Sequence, residues 1–320
     1  MQERWLFIVN PASGNGKGGI AWKPILQELQ KAGMNPIVWS SEYNGHIQQL
    51  VDRAVHEGYR KIATYGGDGS LSAAVNGLMS QNVCEPSEVL LAHYPRGTGN
   101  DWCRFFKVPD SPVTWAAVIK KERQFRHDVG IIDLIKKGKP ATHYFINVAN
   151  VGYVAMCADL IENSQRSSSL LQGKLYYDYI AFKGLFSFNV AEMLLKYNEV
   201  ERNMKLFNVA VAICKYNGGG MIPAPFADPA DGILDVTLFE DMSKLNFLTD
   251  YPKLRKGTIF TNPKINGFRT EKLEITREDK PDLVEADGEF VGSTPATFSI
   301  KKQALRFVIG EVPEKKEFPY

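Results

Sequence analysis

Apolar and polar positions follow one rule up to about Arg126 and another beyond it. In the first stretch short apolar runs alternate with segments of helical period. Trp5–Asn10, Pro36–Ser40, Lys61–Tyr65 and Val89–Tyr94 read as strands. Ile20–Ala32, His46–Glu57, Leu71–Met79 and Val113–Lys121 place apolar residues three and four apart and read as helices, the first two stopping at Gly33 and Gly58. Strands alternating with helices predict an α/β domain with a mostly parallel sheet covered on both faces. Ligands of such sheets bind beyond the carboxyl ends of the strands. Three Gly-rich loops fall there: Asn10–Gly19, Gly66–Gly69 and Pro95–Asn100.

From Val129 the alternation has period two. Val129–Ile135, a turn at Lys137–Pro140, and His143–Val151 predict an antiparallel hairpin. Leu206–Lys215, Ile233–Phe239, Lys272–Thr276, Val284–Glu289 and Thr297–Val308 continue the β pattern, and Leu170–Tyr197 reads as a helical insert. The second region is thus a mainly antiparallel β domain, with the division drawn as 1–127 and 128–305.

Composition narrows the class only slightly. Apolar residues make up 44% and charged residues 23% of 320, with a formal net charge of +2, so no general case for nucleic-acid binding exists. Lys136-Lys137-Gly138-Lys139 reads as a solvated hairpin tip. Cys84, Cys103, Cys157 and Cys214 are scattered without CxxC spacing, a pattern of reduced thiols in a cytosolic protein. The N-terminal run Trp5–Val9 is too short for a signal or spanning segment, so the expectation is a cytoplasmic protein, at most peripheral to a membrane.

Candidate chemistry lies in the three loops. In Gly66-Gly67-Asp68-Gly69 the glycines expose backbone N–H groups beside a helix start, which suits phosphate. A carboxylate facing phosphates calls for a metal ion or a proton; the plainer reading makes Asp68 an N-cap. Gly14, Gly16 and Gly19 formally satisfy GxGxxG, yet the only ribose-binding acid on offer, Glu42, comes late. The Walker A pattern fails at Pro11 and Gly18, leaving a Gly-rich turn with Lys17 as a point charge for phosphates. In the third loop Asn100 or Asp101 could simply cap a helix over Trp102–Phe106.

Asn10-Pro11…Ser13-Gly14, Gly66-Gly67-Asp68-Gly69 and Pro95…Gly97-Thr98…Asn100-Asp101 resemble, in order and spacing, the motifs of the diacylglycerol kinase-like lipid kinases. The similarity continues through Asp128-Val129-Gly130, Gly173-Lys174, Gly218-Gly219-Gly220, Asp231-Gly232 and Asp287-Gly288-Glu289. The resemblance implies a nucleotide-binding α/β domain, a β-sandwich-like lipid-substrate domain, an active site in the cleft between them, and a C-terminal segment, about 306–320, returning to the first domain. It implies ATP as phosphoryl donor, contacted by Asn10, Ser13, Lys17, Gly66, Gly67, Asp68, Gly69, Gly97, Thr98, Asn100 and Lys174. Mg²⁺ would stand near Asp68 and Asp101, with Asp128 in its water network, and Asp231 matches a structural Mg²⁺ position. Glu289, beside Asp287, is the implied general base toward a lipid hydroxyl, although Asp-Gly taken alone is a turn between strands. Ser70 stands where Thr is commoner in the family and keeps its hydroxyl.

The aromatic, lysine-flanked stretch 174–186 supports two readings, a bilayer contact at the inner face of the membrane and plain core. The expected partner is a lipid at a membrane surface, with no nucleic acid; a homodimer is compatible with all of this. The alternatives are a soluble-substrate kinase such as NAD kinase, which shares the Gly-Gly-Asp-Gly turn, and a catalytically silent lipid- or nucleotide-binding module.

Overall fold

The computed structural model describes residues 4–14, 21–163, 179 and 183–314. Two compact units emerge, Met1–Val129 with Lys302–Glu314, and Gly130–Lys301.

In the first unit β1 (Leu6–Val9), β2 (Ile37–Ser40), β3 (Lys61–Gly66) and β4 (Leu90–Pro95) pair in parallel, with Ile8 opposite Trp39 and Thr64, and Thr64 opposite His93. β1 is buried along its whole length, the pattern of a parallel strand covered on both sides. Each fully buried side chain of this kind, such as Leu6, Phe7 or Ile8, stabilises by about 1.5–3 kcal/mol. The helices are α1 (Lys23–Lys31), α2 (His46–His56), α3 (Asp68–Ser80), α4 (Asp101–Phe105) and α5 (Pro112–Lys121). Arg306 and Phe307, near the end of the last strand, run parallel to Leu90 and Leu91.

The second unit is antiparallel. It contains most of β5 (Gln124–Lys136), then β6 (Lys139–Phe145), β7 (Val148–Gly152), β8 (Ala191–Tyr197), β9 (Val200–Ala212), β10 (Leu234–Glu240), β11 (Ile265–Thr270), β12 (Lys272–Thr276), β13 (Leu283–Ala286) and most of β14 (Glu289–Val308). β7, β9 and β13 turn Ala149, Val151, Val209, Val211, Val284 and Ala286 into one core. Their opposite face carries Val148, Ala210 and Ala212, covered by α6 (Tyr153–Asn163) and α7 (Lys244–Lys256). Two-residue turns with positive φ at both positions close three hairpins: Lys137-Gly138, Asn198-Glu199 and Asp287-Gly288. That backbone twist matches the strands it joins.

Three readings of the pattern need correction. Ala191–Tyr197, assigned to a helical insert, is a strand whose residues alternate between core and solvent and pair with β9 and β12. Residues 170–178 and 180–182 of that insert, and with them most of the aromatic 174–186 stretch, lie outside the described residues. His143–Val151 is two strands broken at Ile146-Asn147, and α7, with its Ser243/Asn246 capping box, had no counterpart in the sequence reading. None of the four cysteines is in a disulfide, and among the described residues no helix is long and apolar enough to cross a membrane.

Candidate active site

The strand ends of the first unit bring the described parts of the three loops together. Asn10 closes its own turn, its Oδ1 accepting from Ala12 N at 3.0 Å, and its Nδ2 donates to Ser70 Oγ at 3.0 Å. Ser13 Oγ donates to Asn10 O at 2.8 Å. The 10–14 loop is thereby tied to the first turn of α3 through the hydroxyl at position 70. Lys17, Gly16 and Gly19 lie outside the described residues.

Asp68 does not cap its own helix. It is the first residue of α3, behind an N-cap Gly67, and its carboxylate reaches the next loop. Asn100 N donates to Oδ2 at 2.6 Å and Asp101 N to Oδ1 at 2.8 Å, so Asp68 caps α4 from another segment. Asn100, the α4 N-cap in left-handed conformation, makes no capping bond; its Oδ1 accepts from Gly97 N at 2.9 Å and its Nδ2 donates to Gly97 O at 2.9 Å. Backbone crowding explains two glycines. A Cβ on Gly97 would lie 2.6 Å from Gly67 Cα, and one on Gly67 would lie 3.0 Å from Gly97 Cα. Gly97→Ala is therefore expected to push the two loops apart, lowering stability in urea titration by about 1–3 kcal/mol, as overpacking does.

Charge in this cradle has both signs. Burial first, and then the neighbouring Asp101 carboxylate, push Asp68 up to about 6, against backbone N–H groups that pull it down. Asp101 is buried and stands 3.7 Å from Arg104 Nε. Arg96, which the sequence reading left without a role, is exposed; its Nε would lie 3.2 Å from a Cβ on Gly14, and its backbone N donates to Gly66 O. Its signal was a cation between Pro95 and Gly97, inside a motif already singled out. Thr98 is exposed beside it. Asp128 is fully buried, its Oδ1 accepting from Gln303 N at 2.6 Å.

The donor set suits Mg²⁺. That cation takes one or two carboxylates and completes its shell with waters and phosphates. The Asp68 carboxylate, shifted upward by burial and then by Asp101, would be eased as the anion by a divalent ion. Among the described residues no three His, Cys, Asp or Glu side chains form a metal-holding group.

In the second unit Asp287 and Gly288 form the hairpin turn, with Ala286 opposite Glu289. The Asp287 carboxylate accepts from Ile146 N at 3.0 Å and Asn147 N at 2.8 Å, filling the break between β6 and β7. Glu289 opens β14, reachable by solvent yet crowded by protein. That crowding, then the Glu162 carboxylate, push it up to about 7, while Lys136 pulls it down. Beneath the turn, sequence reasoning missed Glu285. Its Oε1 accepts from Asn150 Nδ2 at 3.1 Å and Asn217 Nδ2 at 3.4 Å, and burial pushes its carboxyl up to about 8. Asn217 leads into Gly218–Gly220, which links that motif to the turn. Asp231 accepts from Ile233 N at 3.1 Å and pairs with Arg269, which also stands 3.5 Å from Asp235. Lys174 lies outside the described residues.

Residues 4–132 match the family described as diacylglycerol kinase catalytic domain, and residues 147–309 match the YegS C-terminal NAD kinase beta sandwich-like domain. The chain therefore belongs to the diacylglycerol kinase-like lipid kinase family and has its two-domain architecture, a catalytic domain followed by a β-sandwich-like domain. It is similar to the diacylglycerol kinase of Staphylococcus aureus strain MRSA252, 25% identical over 300 residues that cover 93% of this chain and 90% of that protein. In fold it is similar to a solved diacylglycerol kinase from Bacillus anthracis str. Sterne, with TM-score 0.70, 19% identity, and coverage of 96% and 97% of the two chains. A second structure from that strain gives TM-score 0.76 at 21% identity, covering 96% and 95%.

Proposed function

We propose that the protein is an ATP-dependent lipid kinase that transfers the γ-phosphoryl group to a hydroxyl of diacylglycerol or a related lipid. The observation that carries this reading is the tie between Asp68 and the 95–101 loop, which sets Asp68 and Asp101 together where the glycine-rich loops meet. Family membership and the name of the Staphylococcus aureus relative support the acceptor class.

Phosphoryl transfer asks the protein mainly to position reactants and neutralise charge. Asn10, Ser13, Gly66, Gly67, Gly69, Gly97, Thr98 and Asn100 would line the phosphates, with Arg96, Lys17 and Lys174 supplying positive charge. Asp68 and Asp101 would hold Mg²⁺, and Asp128 would order water near it. When bound, Mg²⁺ neutralises the charge that gathers on the transferring phosphates. Asp287 fixes the turn, and Glu289, two residues on, would take the proton of the lipid hydroxyl directly or through one water. A carboxylate shifted to about 7 is a competent base at neutral pH.

The test is phosphate transfer from labelled ATP to diacylglycerol, monoacylglycerol, a sphingoid base, ceramide, phosphatidylglycerol and polyprenol in mixed micelles with Mg²⁺. Label in a lipid product is the expected outcome, abolished by chelation of the metal. Label in none of these acceptors would overturn the reading, and label in NAD instead would favour a soluble-substrate kinase.

A further inference from the structure

Phe186 and Leu245, 73% and 68% accessible, are the two most exposed large apolar side chains among the described residues. They lie together. Lys244 Nζ donates to Phe186 O at 2.6 Å and stands 5.7 Å from the centre of its ring. Neighbours of Phe186 point the other way: Leu185 is buried, and Phe188 packs 5.6 Å from Tyr153 and 5.3 Å from Phe207.

Helix α7 has the same two-sided character. Phe247 faces inward, 5.0 Å from Tyr153 and 5.4 Å from Phe207, with Leu254 on the same core. With 3.6 residues per turn, Leu245, Leu248, Thr249 and Pro252 fall on the opposite side, and all four are exposed. Leu248 is 39% accessible. Scattered exposed apolar residues need no explanation, but a contiguous apolar ridge does.

Charge identifies what the ridge meets. The lone acid of α7, Asp250, is buried and paired with Lys253 at 2.8 Å, so its carboxylate does not face outward. Lys183, Lys244 and Lys256 are exposed around the ridge, and the neighbouring Asp241 faces Lys264 at 3.7 Å. Apolar side chains fringed by lysines match an interface with an acyl boundary beneath anionic headgroups. A second copy of the chain fits poorly, because two-fold pairing of this face sets its lysines against each other.

We propose that Phe186 and the outward face of α7 dock the second unit on an anionic phospholipid bilayer. Phe186, Leu245 and Leu248 enter the acyl boundary, and Lys183, Lys244 and Lys256 lie among the headgroups. This rests on the lipid-kinase reading for its purpose, although membrane binding is measured independently of catalysis.

The experiment floats the full chain with phosphatidylcholine vesicles, with and without phosphatidylglycerol. It compares the parent, Phe186→Ser combined with Leu245→Ser and Leu248→Ser, and Lys244→Glu. The parent is expected to float with phosphatidylglycerol vesicles and far less without them, and each variant to lose about tenfold or more in partitioning. Both variants should keep the parent's melting temperature, and its turnover of a short-chain diacylglycerol dispersed as monomers, while losing turnover of long-chain lipid in vesicles. A parent that floats with neither vesicle, or variants that float like the parent, would overturn the inference. So would a parent whose ridge forms a dimer that the serine variant dissolves, without vesicle binding. Normal flotation contrasts with no turnover of any lipid would sink the kinase reading and leave the docking surface standing.

Discussion

Glu289→Gln is expected to lower lipid phosphorylation about 10²–10⁴-fold, the range a positioned general base contributes, without loss of stability. The side chain opens β14 directly after the Asp287-Gly288 turn, so its backbone is set by a hairpin that does not depend on its carboxylate. Protein crowding and Glu162 hold its pKa near 7, above the ordinary carboxylate value. A carboxyl shifted upward in the folded state is destabilised as the anion. Its ionisation therefore opposes folding as pH rises from the unfolded value through about 7, and Gln should leave stability unchanged or improved above that pH. The parent's turnover should climb with pH through about 7 and level off above, since the base acts as the anion. A pH profile of kcat, paired with thermal melts, checks both halves. A variant that kept the rise and most of the turnover would put the base elsewhere.

Asp68→Ala should be the more damaging substitution, because it removes an anion and a structural tie at once. Asn100 N and Asp101 N would both lose their acceptor, at about 1–3 kcal/mol for each group left buried and unpaired. Stability in urea should fall accordingly, and ATP affinity in calorimetry should drop with loosening of the 95–101 loop. Asp68→Asn should recover part of the stability, since its amide oxygen can accept one of the two N–H groups, but little of the turnover. Unchanged turnover in the alanine variant would remove Asp68 from the metal site.

Local grammar carried the strands and helices of the first unit well. β1–β4 and α1–α3 lie where short apolar runs, helical period and glycine stops put them, because each depends on residues close together along the chain. The second unit was harder. Ala191–Tyr197 looked helical next to an aromatic stretch, and only its turn, in left-handed conformation at Asn198 and Glu199, forces a strand. α7 escaped notice because Pro252 breaks the expected pattern and both sides of the helix carry apolar residues. In the site, residue types were legible but their partners were not. Asp68 reads as a cap, and nothing within four residues reveals that it caps a helix beginning at Asp101. Glu285 was invisible for the same reason, since it acquires meaning only beside Asn150 and Asn217, whereas Arg96 stood inside a legible motif and only its place beside Gly14 was hidden.

The bond from Asp68 to a helix 33 residues further along has a dynamic consequence. Local openings in folded proteins range from single mobile loops to larger cooperative units. With one carboxylate accepting from two amides, and Gly67 packed closely on Gly97, moving either loop away from the other breaks both bonds. The two loops are thus expected to open together, read as matched hydrogen-exchange protection at Asn100 N, Asp101 N and the first turn of α3.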